Sequence, residues 1–167
     1  MNNSNHSNIL IIGGGCAGIS VATRLKSLKS DLSLSIIEPS EKSLYQAAWT
    51  LVGAGAYDVN STIKPMSSVM PSYVNWIKSH AQSFSPESNT VKTSDGDCTY
   101  DYLVVCPGLK LNFDGVAGLK ESLGKNNVCT NYDADMAVYP WECLKNLYGG
   151  TLLFTEPPRP IKCAGAP

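Results

Sequence analysis

The chain has 167 residues, 43% of them apolar, with a net charge of −1 and a pI near 6.1. This apolar content is sufficient to bury a hydrophobic core, so a globular fold is expected. The thirteen basic residues are scattered and balanced by fourteen acidic ones, which excludes the dense basic surface that nucleic-acid binding requires. No apolar run approaches the roughly 18 residues that a membrane-spanning helix needs.

The cysteine pattern favours redox chemistry in a reducing compartment over a disulfide scaffold. The chain has six cysteines: Cys16, Cys98, Cys106, Cys129, Cys143 and Cys163. No two form a Cys-x-x-Cys motif, and the two histidines are too few to complete a zinc site, so no metal is expected. The polar opening MNNSNHSN has no apolar segment of the kind found in export signals, and residues 1–7 are predicted to be a disordered tail.

The first forty residues predict a strand, a helix and a second strand. Residues 8–12 are almost wholly apolar and are followed by three glycines. This pattern is typical of a strand that is buried on both faces of a parallel sheet. Apolar residues then recur at helical spacing over 16–29, and the apolar run at 32–37 predicts the second strand. Together these elements form one right-handed βαβ unit.

The middle of the chain is predicted to leave the sheet and return to it. Residues 41–72 are punctuated by glycine and proline, which indicates an excursion over the sheet. A strand is predicted at 73–78, followed by a hairpin that turns at Asp95-Gly96 and leads into a buried strand at 102–106.

The last third predicts a loop at 107–127, a short helix from Pro140 to about Gly149, and a strand at 151–155. The expected fold class is therefore α/β, a Rossmann-like βαβ fold in a three-layer sandwich. The strand at the end of the chain has nothing after it to pair with, so we expect the protein to continue.

The glycine turn carries the clearest chemical signal. Gly13, Gly15 and Gly18 form a G-x-G-x-x-G motif between the first strand and the helix, where a dinucleotide-binding fingerprint must lie. Gly13 allows the tight turn, Gly15 lets a diphosphate reach the backbone, and Gly18 lets the helix pack closely on the strand. Glu38 ends the second strand twenty residues after Gly18, where an acid would hold ribose hydroxyls.

The fingerprint itself does not separate FAD from NAD. The run from Asp101 to Gly108 resembles the second signature of flavoproteins, a buried strand ending in a turn of small residues close to the flavin. The cofactor is therefore predicted to be FAD, and Cys106, Pro107 and Gly108 are predicted to lie beside it.

Longer stretches of the chain resemble the sulfide:quinone oxidoreductase family, especially its mitochondrial-like branch. The similar stretches are Glu38 to Glu41, Leu44 to Gln46, Trp49 to Ala56, Trp76 to Lys78, and the distinctive Pro160 to Pro167. The matches extend from residue 8 to residue 167. The resemblance implies two dinucleotide-binding domains and a C-terminal region that contacts a membrane surface, of which this chain would cover less than half. Residues 8–130 would form the FAD-binding domain, incomplete in this chain, and residues 131–167 would begin the second domain.

The resemblance also implies roles for individual residues. Cys16 and Ala17 fall at the pyrophosphate turn, and Gln46 and Ala81 at positions that contact FAD. Cys163 matches the redox-active cysteine beside the flavin. Cys129 is a second predicted catalytic cysteine, because some relatives have a further cysteine near its position. From their surroundings alone, we interpret Cys143 as a helix packing residue, Cys98 as a hairpin residue and Cys106 as a small residue of the flavin-site turn.

In the mechanism of that family, hydrogen sulfide attacks a disulfide or trisulfide and leaves a cysteine persulfide. Electrons leave through the flavin to quinone, and the sulfane sulfur passes to an acceptor. The enzyme would lie peripherally on the mitochondrial inner membrane or the bacterial cytoplasmic membrane. The resemblance implies that the second cysteine of the mechanism lies outside this chain, so these 167 residues by themselves are expected to turn over little substrate.

Two other interpretations remain open from the sequence. One is another flavoprotein of the disulfide-reductase type, such as an NADH:quinone dehydrogenase or the flavin subunit of a flavocytochrome. The other is a truncated, non-catalytic fragment.

Overall fold

The computed structural model of the protein describes residues 5–156. Its eight strands are β1 His6–Ile12, β2 Leu34–Ile37, β3 Lys42–Leu44, β4 Ile63–Pro65, β5 Val74–Ile77, β6 Ala81–Ser85, β7 Thr90–Thr93 and β8 Gly96–Val105. Its five α-helices are α1 Cys16–Leu28, α2 Trp49–Gly53, α3 Met66–Val69, α4 Leu119–Ser122 and α5 Tyr139–Leu144. Four short 3-10 helices join them: Gln46–Ala48, Val59–Thr62, Pro86–Ser88 and Phe113–Gly115.

Six of the strands form one sheet, in the order β5-β2-β1-β8-β7-β6. The neighbouring strands β5, β2, β1 and β8 are parallel to one another, whereas β7 is antiparallel to both β8 and β6. Strand β8 serves both halves, because residues 96–99 pair with β7 and residues 99–105 pair with β1. The prediction of an α/β fold with a central parallel sheet is confirmed.

The two faces of β1 are buried in different clusters, as a central parallel strand requires. Ile9 and Ile11 point to the face that α1 covers, where Ala22 of the helix packs with them. Leu10 and Ile12 point to the opposite face and pack against residues of the hairpin, among them Val91 and Cys98. Helix α1 and the hairpin residues therefore cover opposite faces of β1.

The segment between β2 and β5 forms a small unit beside the sheet. Strands β3 and β4 pair antiparallel, and a third cluster forms around Trp49 and Val52 of α2. Ala137, from the segment before α5, is buried in this third cluster. A Cβ added at Gly53 would stand 3.3 Å from the Cβ of Pro140. Residues after 130 therefore pack against the α2 segment. The predicted domain boundary at 130 stays a prediction.

Several element boundaries differ from the predictions. Strand β1 begins at His6, two residues earlier than predicted, and α5 ends at Leu144 and does not reach Gly149. Strand β6 was not predicted at all. The predicted strand at 151–155 is wrong, because residues 151–156 lie in no helix or strand. An apolar run becomes a strand only where a neighbouring strand pairs with its backbone, and no such neighbour accompanies it within residues 5–156.

Truncating Ile36 to alanine should lower the free energy of unfolding by about 2–5 kcal/mol, because a wholly buried side chain leaves a cavity between β1, β2 and α1. Leu28→Ala is the matched control, since Leu28 is 66% exposed and should change stability by about 0.5 kcal/mol or less. Urea unfolding followed by circular dichroism measures both variants. Equal losses for the two variants would contradict the assignment of this core.

Candidate functional site

The predicted site residues converge where β1, β2 and β8 end. Ligands in open α/β sheets bind in the crevice outside the carboxyl ends of such strands. Gly13 directly follows β1, Glu38 follows β2, and Cys106 follows β8. The backbone joins the three: the Gly13 N–H donates to the Ile37 carbonyl at 2.9 Å, and the Cys106 N–H donates to the Ile12 carbonyl at 2.8 Å.

Gly13 and Gly18 are glycines because the backbone passes too close for a side chain. Gly13 has φ +100°, and a Cβ there would stand 2.1 Å from the carbonyl oxygen of Cys106. A Cβ at Gly18 would stand 1.9 Å from the carbonyl oxygen of Gly13. The predicted reasons for these two glycines, a tight turn and close packing of helix on strand, are both present in the geometry.

Gly15 differs from these two glycines because nothing lies within 4 Å of the position its Cβ would take. It is the N-cap of α1, and no side chain caps the helix or places an acid in its first turn. The first-turn amides and the positive end of the helix dipole are thus open to an anion. Cys16 and Ala17, predicted to line this turn, are the first two helical residues, and both are exposed.

Glu38 is held at the turn by two backbone hydrogen bonds. Its Oε2 accepts from the Gly14 N–H at 2.7 Å, and its Oε1 accepts from the Ser40 N–H at 2.7 Å. The Trp76 Nε1–H donates to the Glu38 carbonyl at 2.8 Å, which ties the end of β2 to β5. Each carboxylate oxygen has further lone-pair capacity, so the group can still accept hydrogen bonds from a ligand.

Gly14 has a role that the sequence interpretation did not assign. A Cβ there would stand 2.8 Å from both Cβ and Cγ of Glu38, so glycine lets the carboxylate lie against the turn. The run of three glycines, of which the fingerprint explains only two, was the available signal. Ser40 and Trp76 were also missed as partners of Glu38, because their contacts depend on how β2 and β5 pair.

The other predicted FAD contacts lie on three different segments of the chain. Ala81 packs against the cluster that contains Ile12 and Ile37, the last residues of β1 and β2, so it lies at the same end of the sheet. Pro107 and Gly108 continue from β8 and are exposed. Gln46 begins the 3-10 helix before α2 and is half-buried.

A cavity of about 390 Å³ lies beside the start of α1. Cys16 and Ser20 line it from the helix, and Tyr45, Tyr57 and Lys64 line it from the unit formed by β3 and β4. The open end of α1 therefore faces a concave surface. Among residues 5–156, no three His, Cys, Asp or Glu side chains come together as a metal site would require, and no helix is long and apolar enough to cross a membrane.

Of the two predicted catalytic cysteines, the structure describes only Cys129. Cys163 lies outside the described residues. Cys129 is exposed in the loop after α4, and its Sγ lies 3.7 Å from the Sγ of Cys143 on α5. Partial burial, a hydrogen bond to the Cys143 thiol and charge repulsion from that thiol raise the pKa of Cys129 to about 11. Cys129 is consequently a protonated thiol near neutral pH and, in this state, a poor nucleophile.

Known proteins are similar to this chain in sequence and in fold. A family model described as pyridine nucleotide-disulphide oxidoreductase matches residues 7–137. The chain belongs to this family. Its Rossmann-like architecture is that of the family's FAD-binding domain, and the predicted fold class is confirmed.

Individual relatives are similar over almost the whole chain. The mitochondrial sulfide:quinone oxidoreductases of Dictyostelium discoideum and Mus musculus are 44% and 38% identical over 98% of this chain. The X-ray structure of the sulfide:quinone oxidoreductase from Aquifex aeolicus matches 86% of the chain at 30% identity with a TM-score of 0.68. The chain spans 37%, 36% and 32% of the lengths of these three relatives, respectively.

Gly18→Ala should lower the free energy of unfolding by about 1–3 kcal/mol, because the new methyl group collides with the Gly13 carbonyl and pushes α1 away from β1. Gly15→Ala is the matched control, since its Cβ enters open space in an ordinary backbone conformation and should leave stability nearly unchanged. Urea unfolding compares the two variants. Equal stability of both would show that the turn is not packed as described.

Proposed function

We propose that this chain carries the FAD-binding turn and the first redox-active cysteine of a sulfide:quinone oxidoreductase. Such an enzyme oxidises hydrogen sulfide through a cysteine persulfide and passes the electrons to quinone. The observation that carries the proposal is identity of 38–44% across 98% of the chain to proteins named for that activity. This similarity includes the glycine turn and Glu38, where the local geometry suits a dinucleotide.

The turn fits a diphosphate and a sugar. A bare Cα at Gly15 leaves space for close approach, and the uncapped first turn of α1 offers amide donors and a positive dipole to the phosphates. Glu38 is placed by the Gly14 and Ser40 amides with acceptor capacity remaining for ribose hydroxyls. When bound, FAD would supply the two-electron acceptor that sulfide oxidation needs.

The remaining residues have narrower roles in this proposal. Cys16 and Ala17 present amides at the phosphates, while Gln46, Ala81 and the Cys106-Pro107-Gly108 turn border the flavin. Cys163 is proposed as the thiol that carries sulfane sulfur, with its partner cysteine supplied from outside these 167 residues. A quinone, a sulfane-sulfur acceptor and a membrane surface would meet other parts of the complete enzyme. Residues 131–167 would begin its second dinucleotide-binding domain.

Glu38→Gln should weaken FAD binding about tenfold or more, because an amide cannot replace an ionised acceptor that serves both the turn and the ribose. Glu41→Gln is the matched control, since Glu41 pairs with Lys78 at the surface and should leave FAD affinity within about twofold. Titration calorimetry with FAD on the purified chain measures both. Unchanged affinity in the Glu38 variant would remove Glu38 from the site.

A chimera tests the activity itself. Residues 1–167 would replace the matching 37% of the Dictyostelium discoideum sulfide:quinone oxidoreductase, with which they share 44% identity. We expect a yellow protein whose flavin absorbance is bleached by sulfide and restored by quinone. Cys163→Ser should retain the colour and lose the sulfide response, because the proposed sulfur-carrying thiol is gone.

NADH is the control reductant in that experiment. Bleaching by NADH with no response to sulfide would favour an NADH:quinone oxidoreductase instead. A yellow Cys163→Ser chimera that still responds fully to sulfide would contradict the role of that cysteine and leave the FAD site standing.

A further inference from the structure

Two thiols that lie far from the glycine turn in the sequence are in contact with each other. The Sγ atoms of Cys129 and Cys143 are 3.7 Å apart, although fourteen positions separate the residues. Cys129 lies in a loop and Cys143 on α5. The other described cysteines, Cys16, Cys98 and Cys106, are free thiols, and Cys98 is wholly buried in the core.

Backbone structure holds the Cys129 side of this pair. Asn126 and Asn127 both adopt left-handed conformations, with φ +51° and +64°, and Lys125 bridges Val128 across them. Asparagine tolerates this conformation better than most residues, so the tight turn is encoded locally. Cys129 follows the turn directly, and its thiol also lies 3.6 Å from the Asn127 carbonyl oxygen.

A separate hydrogen bond ties the same turn to α5. The Asn127 N–H donates to the Tyr139 hydroxyl at 3.2 Å, one turn of helix before Cys143. The pKa of Tyr139 is raised: the Asn127 bond lowers it, but interaction with the Cys143 thiol, desolvation and repulsion from both thiols together raise it. The sulfur contact is therefore one part of a small linked group.

The geometry allows a bond between the sulfurs. A disulfide joins two sulfurs at about 2.05 Å, so the existing gap of 3.7 Å must close by less than 2 Å for the bond to form. Cys129 is exposed and Cys143 is half-buried, so a small oxidant can reach the pair from solvent. Reactive thiols need such access, whereas a core cysteine such as Cys98 does not have it.

We propose that Cys129 and Cys143 form a redox-convertible dithiol that closes to an intramolecular disulfide. The oxidant is a low-molecular-weight disulfide such as glutathione disulfide. One protein thiol loses its proton and attacks that disulfide, which releases one glutathione and leaves a mixed disulfide. The second protein thiol then attacks the protein sulfur and releases the other glutathione. Two electrons pass from the pair to the oxidant, and two glutathione thiols form.

Closure would fix α5 to the loop that it now meets through weak contacts. Helix α5 in turn packs on the α2 segment, where the Trp141 ring lies so close to Gly55 that a Cβ there would stand 2.4 Å from it. The disulfide would thus hold α5 in place against the α2 segment. This assignment gives Cys129 a role separate from sulfide chemistry, and it holds whether or not the proposed function does.

One tryptic peptide reports the reaction. Cleavage after Lys125 and Lys145 releases residues 126–145, which contain both cysteines and no internal lysine or arginine. The purified chain is equilibrated with glutathione and its disulfide in mildly alkaline buffer, then acid-quenched, alkylated and analysed by mass spectrometry. We expect the peptide to be lighter by two hydrogen atoms, without glutathione or alkyl groups attached.

The comparison with unfolded protein decides the proposal. In folded protein, confirmed by circular dichroism, the effective concentration of the pair should exceed that in urea about tenfold or more, because the turn and α5 hold the sulfurs together. Cys143→Ser should give the same peptide with glutathione on Cys129. Equal effective concentrations with and without urea would overturn the proposal, as would two glutathiones on the folded wild-type peptide.

Discussion

The close approach of three chain segments at the end of β1 is the constraint on which the site depends. The Cys106 carbonyl occupies the space beside the Cα of Gly13, and the Gly13 carbonyl occupies the space beside the Cα of Gly18. Hydrogen bonds from Gly13 to β2 and from Cys106 to β1 fix this arrangement on both sides. Helix α1 can start where it does, directly over the strand, only because no side chain separates them.

The same approach orients Glu38. With Gly14 lacking a side chain, the carboxylate reaches the turn and accepts its amide, and the Ser40 amide holds the other oxygen. Hydrogen bonds to an ionised acceptor contribute about 1.5–3 kcal/mol each, so the carboxylate is fixed before any ligand arrives. A preoriented acceptor loses little entropy on binding, which is why the placement of Glu38 matters as much as its charge.

The sequence predicted those parts of the fold whose signals are local. The apolar strand, glycine turn and amphipathic helix lie within about thirty residues of one another. The Asp95-Gly96 pair predicts the hairpin turn by itself, and Gly96 adopts φ +125° there. Strand β6 was missed because its residues are mostly polar and exposed, so its pairing with β7 decides its structure. The apolar run at 151–155 has the opposite character: its composition favours a strand, but no partner strand accompanies it within residues 5–156.

The site divides in the same way. Gly13, Gly15, Gly18 and Glu38 follow from spacing, whereas the role of Gly14 and the contact of Cys129 with Cys143 arise only when distant segments meet. Sequence placed Cys143 correctly on a helix but gave no means to see a second thiol facing it. Pairing of side chains across a loop is a tertiary property that local propensity does not encode.

Helix α2 connects the two chemical features of this chain. Its preceding 3-10 helix begins at Gln46, a proposed flavin contact, and its far end lies under Pro140 and Trp141 of α5. The Trp141 ring lies against Gly55, so a displacement of α5 changes the packing of this segment. The disulfide proposed between Cys129 and Cys143 would therefore restrain, through α5, the segment that follows Gln46.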